Sequence, residues 1–232
     1  MIQDLAQRLV AGWIGKLVIG GFAVFTSVRY GTGVYVWRVT EKLERPSYTV
    51  IKELSDGVEL RRYEPYLIAE TTFDGDDLRE PTKEGFRSCA GYIFGKNIPR
   101  TTASVRIEGN SAPVGEKMAM TAPVRVDKGA KNTKVSFVIG SKYTLKTVPK
   151  PIEKDVKLRE VRAHTLAVRT FSGPTPKDSK VKRERGKLEL ALMKANLTPK
   201  NKETLVYGYH DPFITPNFLR RNEVAVLVEG SI

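Results

Sequence analysis

Residues 58–75 and 156–173 align on one another without a gap, at an offset of 98 residues, and seven of the eighteen positions are identical. The matches are Val58/Val156, Leu60/Leu158, Arg61/Arg159, Ala69/Ala167, Thr72/Thr170, Phe73/Phe171 and Gly75/Gly173. A chain carrying two such copies is constrained to a fold with two similar halves, so each half must supply the same kinds of element. Tyr48–Leu54 and Val58–Tyr63 read as strands joined through Ser55-Asp56-Gly57, a hairpin signal, and Leu67–Phe73 reads as the next strand. A helical stretch follows each copy: Thr82–Phe94 after the first, and Ser179–Leu197 after the second, where Leu188, Ala191, Leu192 and Ala195 recur on one face. Two more strands follow each helix, Met118–Val126 and Lys134–Ile139, then Thr204–His210 and Glu223–Val228. The expectation is an α+β fold in which two pseudo-symmetric strand–helix–strand halves share one antiparallel sheet or distorted β-barrel covered by the helices. A groove between such halves is a natural ligand site.

The folded part is expected to occupy 46–232, beginning at Pro46, with 1–45 forming an N-terminal hydrophobic helix and linker. From Val10 to Val28 the chain reads VAGWIGKLVIGGFAVFTSV, with Lys16 the one charge. At helical rise these residues span about 28 Å, close to the apolar thickness of a bilayer. Trp13, Leu17, Ile19, Phe22 and Phe25 would face lipid, and Trp37, in the patch Val34-Tyr35-Val36-Trp37, would anchor at the interface. Glycines 12, 15, 20 and 21 would let a second helix approach closely. A cleaved organelle-targeting peptide and a soluble amphipathic helix, the latter kept open by Lys16, are the competing readings. Arg29, Arg38, Lys42 and Arg45 follow the apolar run, which places the globular part on the cytoplasmic, matrix or stromal side. An organelle membrane is expected, with the mitochondrion favoured over the plastid.

Charge and cysteine content narrow the chemistry. The net charge of +13 could attract anionic lipid, an acidic protein, an anionic small molecule or nucleic acid. No basic helix interleaved with aromatics and no zinc-finger or helix-turn-helix pattern is present, which speaks against nucleic acid. Cys89 is the one cysteine, so no internal disulfide forms, and His164 and His210 are too few to complete a structural zinc site with it. There is no HExxH, no nucleophile triad spacing and no phosphate-cradling glycine loop, so an enzyme is not expected.

Five segments in order carry a family resemblance: VELRRYEPYLIAET (58–71), GFRSCAGYIFGKN (85–97), EKMAMTAPV (116–124), VSFVI (135–139) and YHDPFITPNFLRRNEV (209–224). Together they make the chain resemble the SOUL/heme-binding-protein family, as a membrane-tethered member. The resemblance implies a distorted eight-stranded antiparallel barrel with two helices and non-enzymatic binding of heme or another tetrapyrrole. Axial ligation in that family is not uniform. Iron is commonly held by His, Cys, Met or Tyr. On that basis His210 is the candidate metal ligand, at a strand end beside a proline-rich loop. Met118 and Met120, on one face by alternation, are candidate pocket residues. Arg220 and Arg221 are candidate partners for propionates, with structural anchoring as their other reading. His164 is expected at a turn or on the surface, and Cys89 as a small core residue. Expected partners are the tetrapyrrole, membrane lipid and other subunits of a membrane complex. Two further readings stay open: an accessory structural subunit of an organellar membrane complex with an empty or lipid-filled pocket, and a peripheral lipid-binding protein.

Overall fold

The computed structural model describes residues 27–75, 79–100, 115–129 and 131–229. Most of Val10–Val28, with Trp13, Leu17, Ile19, Phe22 and Phe25, lies outside these residues. Among the described residues no helix is long and apolar enough to cross a membrane. The first described element is helix α1, residues 27–41, which carries Trp37 half-buried.

The strands are β1 (Tyr48–Leu54), β2 (Val58–Tyr63), β3 (Tyr66–Asp74), β4 (Asn97–Ile98), β5 (Val124–Lys128), β6 (Asn132–Ile139), β7 (Lys150–Pro151), β8 (Lys157–Val161), β9 (His164–Ser172), β10 (Thr204–Gly208) and β11 (Arg221–Leu227). Two more helices, α2 (Arg79–Ile93) and α3 (Asp178–Lys194), follow β3 and β9. Nine strands form one antiparallel sheet in the order β1-β2-β9-β11-β10-β5-β6-β3-β8. The sheet curls into a half-barrel. The expected barrel is therefore not closed, because β1 and β8 are edges with no ladder between them. A small pair, β4 and β7, stands apart from it.

The duplication is written into the register. β5 and β10 pair at the centre, Val126 opposite Val206, with Thr204 opposite Lys128 and Gly208 opposite Val124. Outward from this centre each strand of one half faces its counterpart: β6 and β11, β3 and β9, β8 and β2. Leu60 pairs with Ala167 in the β2–β9 ladder, and Leu158 pairs with Ala69 in the β8–β3 ladder. Adding 98 to each residue of β2 and subtracting 98 from each of β9 turns one ladder into the other. Each half thus gives its first repeat strand to the other half's side of the sheet.

Local chemistry sets the element ends. The β1–β2 hairpin turns through Asp56 and Gly57, both in the left-handed region with φ of 60° and 66°, where Asp and Gly are at home. β5 starts at Val124, later than the expected Met118, because Pro123 has no N–H for a ladder. Upstream of it Thr121 bridges Glu44 instead. Helix α3 stops before Leu197 because Asn196 turns the chain with a φ of 56°.

Both helices lie on one face of the sheet. Helix α3 seals a core of Val58, Leu60, Ala167, Val224 and Val226 with its own Val181, Leu188, Ala191 and Leu192. Helix α2 does the same with Cys89, Tyr92 and Ile93 over Ala69, Phe137 and Ile139. Gly85 lets α2 settle this closely: a Cβ there would meet that of Val135 at 2.5 Å. Gly186 in α3 has no atom within 4 Å of the same position. Opposite signs are expected for the same substitution. Gly85→Ala should destabilise by about 1–3 kcal/mol through overpacking. Gly186→Ala should stabilise by about 0.5–1 kcal/mol through helix propensity. Urea denaturation of the two variants measures both.

Candidate functional site

Among the described residues the sheet's other face carries no helix, yet it is buried and polar. Strand alternation aims Arg61 and Tyr63, His164, Leu166 and Val168, Tyr207, Arg125, Glu223 and Ala225 toward it. An apolar cluster of Tyr63, Leu166, Val168, Leu205, Tyr207, Tyr209 and Ala225 forms its floor, with Leu43, Tyr48 and Tyr66 packed on top. The segment after α1, expected as linker, is strapped across this face. The Ala122 N–H donates to the Glu44 carbonyl at 2.9 Å, and the Ser141 N–H donates to Glu44 Oε1 at 2.6 Å. The Arg45 guanidinium sits 5.1 Å from the Tyr209 ring centre.

At the centre of the face is the Glu223 carboxylate, fully buried. Oε1 accepts from Arg61 Nη1 at 3.0 Å, Thr170 Oγ1 at 3.1 Å and Arg221 Nη2 at 2.6 Å. Oε2 accepts from Tyr209 Oη at 2.7 Å. Burial alone would raise its pKa, but the charges of Arg61 and Arg221 and the Tyr209 hydrogen bond win and hold it below the usual carboxylate range. Arg61 is itself 2 % exposed and stacks over Tyr48 at 4.6 Å. Its repeat partner Arg159 finds a glutamate too, Glu70 at 2.8 Å. Nearby, Arg125 grips Asp127 through two hydrogen bonds and donates to Tyr66 Oη at 3.0 Å.

Two adjoining hollows open here. The inner one, about 40 Å³, is walled by Arg45, Tyr48, Tyr63, Tyr66, Arg125, Tyr207, Tyr209 and Arg221. The outer one, about 720 Å³, shares Arg45, Pro46, Tyr66 and Val138 with it and extends over Leu67, Ile139, Tyr143, Leu145 and Lys146. Glu44, Glu64 and Glu160 also line the outer basin. The buried Tyr207 hydroxyl and Arg45 Nε reach no protein hydrogen-bond partner. Buried polar atoms of this kind normally have one. They fit an acceptor arriving from outside, such as a carboxylate.

The candidate residues from sequence do not form one site. Met118 is in the core under α2 with Met120 packed beside it, sharing a face as expected but on the helix side of the sheet. Arg220 donates to the Thr215 carbonyl at 2.7 Å, an anchor for its loop. Arg221 lines the inner hollow with its guanidinium committed to Glu223. His210 is held by hydrogen bonds at both ring nitrogens. Nδ1 accepts from the Arg221 N–H at 3.0 Å, so the neutral ring carries its proton on Nε2, which donates to Glu41 at 2.9 Å. Neither nitrogen is free for iron while these bonds stand. His164, expected at the start of a strand as a turn or surface residue, does start β9, but its ring is half-buried and stacks on Tyr63 with centroids 5.4 Å apart. Its Nδ1 meets the Arg162 carbonyl at 2.7 Å, the usual orienting bond of a metal-binding imidazole, which puts the proton there. Its Nε2 is buried and without a partner. Burial lowers the His164 pKa, so the ring is neutral at pH 7. The tyrosines and Arg61 were not singled out from sequence; the Arg61/Arg159 identity within the repeat and the Tyr207-Gly-Tyr209 spacing were the available signals. Cys89 packs as expected, its thiol pushed up by burial to about 11.

The fold is thus a duplicated, curled antiparallel sheet with α2 and α3 on one face and a polar groove on the other. The chain belongs to the SOUL heme-binding protein family, whose family model matches residues 43–227. No curated protein matches the sequence. Among solved structures, an uncharacterized conserved protein from Listeria innocua is similar at 11% identity and a TM-score of 0.54, covering 74% of this chain and 92% of that one. A structure described as a hydrolase from Listeria innocua matches at 11% identity and 0.52, covering 74% and 91%. The EcmrR C-terminal domain matches at 10% and 0.50, covering 79% and 99%. At these identities the likeness is one of fold.

Removing the central carboxylate takes from buried Arg61 its one buried counter-charge among the described residues and leaves it the half-exposed Glu59, 2.7 Å from its Nε. Glu223→Gln should therefore cost about 3–5 kcal/mol, read from urea denaturation at pH 7. The pH dependence follows the same pairs. Glu223 lies below its ordinary 4.5. In Glu184, the charges and hydrogen bonds of Lys180 and Arg169 outweigh burial and give about 2. Depressed carboxylates stabilise fully above 4.5 and lose that contribution as pH falls through their folded values. Unfolding midpoints should decline gently as pH falls below about 6.5, where the folded state resists protonation of His164 and His210, and drop further between pH 4.5 and 2, less steeply in Glu223→Gln.

Proposed function

We propose that the chain binds heme or another tetrapyrrole in the two-part groove, without catalysing a reaction. Membership of the SOUL heme-binding family carries this reading. The groove supports it. The outer hollow of about 720 Å³ falls within the usual range of small-molecule sites, roughly 300–1,000 Å³. Its apolar walls, Leu67, Val138, Ile139, Leu145 and the rings of Tyr66 and Tyr143, suit a flat macrocycle. A ring carboxylate would find Arg45 Nε and the Tyr207 hydroxyl, two donors on the walls of the inner hollow that reach no protein partner. That assignment takes the carboxylate-binding role from Arg220 and Arg221, which are occupied. For iron, His164 is the imidazole whose Nε2 is uncommitted, its ring lying beside Tyr63 and Tyr66, two walls of the inner hollow; His210 could serve only after releasing Glu41 and exchanging its proton.

The same reading includes a membrane tether through Val10–Val28, with the globular part on the cytoplasmic, matrix or stromal side of an organelle membrane, the mitochondrion before the plastid. A second reading, an accessory subunit of a membrane complex, is favoured by the +13 charge and the glycines of that apolar segment.

Hemin titration of the full chain in detergent, in competition with albumin, tests the proposal. One saturable site is expected. Arg45→Ala should weaken binding about tenfold or more, as for a charged hydrogen bond of about 1.5–3 kcal/mol. His164→Ala should shift the Soret band, and His210→Ala should leave it in place. Weak uptake at many sites, abolished by salt, would leave the accessory-subunit reading.

A further inference from the structure

The loop between β10 and β11 exposes what a water-facing surface normally avoids. Phe213 is 80 % exposed, Phe218 67 %, and Ile214 lies exposed between them. Single exposed apolar residues are ordinary, but large ones grouped together mark a contact surface. The loop is held in shape, so these side chains are presented rather than left loose. Asp211 Oδ1 accepts from the N–H groups of Phe213 and Ile214 at 2.7 and 2.8 Å. Arg220 Nε donates to the Thr215 carbonyl at 2.7 Å, and the Gly173 N–H donates to the Asn217 carbonyl at 3.1 Å.

Helix α1 lies against this loop. Gly33 is buried there: a Cβ on it would come within 2.6 Å of Pro216 Cδ and 2.9 Å of the Ile214 carbonyl oxygen. On the helix, Val28 at 63 % and Tyr30 at 53 % are exposed as well. Arg29 stands near enough to Arg220 for the two charges to interact. One end of the molecule thus combines aromatic and aliphatic side chains with two arginines. The helix that builds it follows directly on the apolar segment ending at Val28. Aromatic rings beside cationic side chains are the composition of a membrane–water interface.

We infer that this end is a bilayer-docking surface. Phe213, Ile214 and Phe218 enter the headgroup region, Tyr30 sits at its level, and Arg29 and Arg220 face anionic lipid. The inference deepens the tether reading and rests on it for its geometry. A tether alone leaves the domain free to tumble at the end of a helix, whereas docking fixes which face meets the lipid.

The full chain is reconstituted into phosphatidylcholine vesicles with and without phosphatidylserine. An environment-sensitive dye is placed at Phe213→Cys, at Phe218→Cys or, as a control on the far face, at Lys182→Cys. Native Cys89, buried and with its thiol pKa raised, does not compete for the label. Docking predicts a blue shift and quenching by lipid-borne quenchers at 213 and 218, stronger with the anionic lipid, and neither at 182. Retention on vesicles through alkaline carbonate reports the tether separately. Dyes at 213 and 218 that stay water-exposed on carbonate-resistant vesicles would overturn the docking surface while the tether stands; a protein partner would then be what covers the loop. A blue shift on vesicles that carbonate strips would support docking and remove the tether. Neither signal would overturn both.

Discussion

Glu223 holds four side chains from three strands and the loop before β11 at one buried point. Its partners Arg61, Thr170, Tyr209 and Arg221 lie on β2, β9, the residue after β10 and β11 itself. A carboxylate taken out of water is costly unless charge and hydrogen bonds replace the solvent it loses. Here the replacement is complete enough to keep it ionised. That decision propagates outward: Arg61 is fixed over Tyr48, Arg221 over Tyr209, and the ring planes that result become the walls of the inner hollow. The helix-free face can be buried and polar at once because this network satisfies most of what it buries. The atoms it leaves over, on Arg45 and Tyr207, are where a ligand can add something.

The strap from Leu43 to Tyr48 matters for the same reason. It closes the groove from above, with Glu44 stitched to Ala122 and Ser141, and it couples the groove to α1 through the bond between Glu41 and His210. Helix α1 in turn rests on the loop that exposes Phe213 and Phe218. The proposed groove and the proposed lipid-facing end therefore share one continuous piece of backbone, residues 27–48, fastened at Gly33 to the β10–β11 loop, at Glu41 to His210 and at Glu44 to Ala122 and Ser141.

Much of this was legible in the sequence. A repeat at an offset of 98 required two like halves, and alternation placed most strands and both helices within a few residues. Pairing across the repeat was not legible, because two equal copies pattern identically whether a strand joins its own half or the other. The open sheet edge escaped for a related reason: local alternation says which face is buried and nothing about whether the ends meet. The histidines show the limit at the site. His210 beside a proline-rich loop has the look of a ligand, yet its two nitrogens are claimed by Glu41, 169 residues away in the chain, and by a backbone N–H brought in by β11. His164 has no flanking motif; its free nitrogen follows from a local bond to Arg162 and from burial that only the assembled sheet provides.

The exchanged strands, β2 and β8, have a consequence for how such a molecule could arise. Either half by itself would lack a strand its sheet requires and would offer an unpaired edge, the condition that drives chains to associate. Its stable form would be a pair of identical chains with the first strand of each lent to the other, and assembly would depend on concentration. Joining the two end to end replaces that encounter with the closure of a loop, whose entropic cost rises only with the logarithm of its length. Once fused, the copies were free to diverge. One now answers its inherited arginine with Glu70 at the sheet's edge, and the other with Glu223 at the heart of the groove.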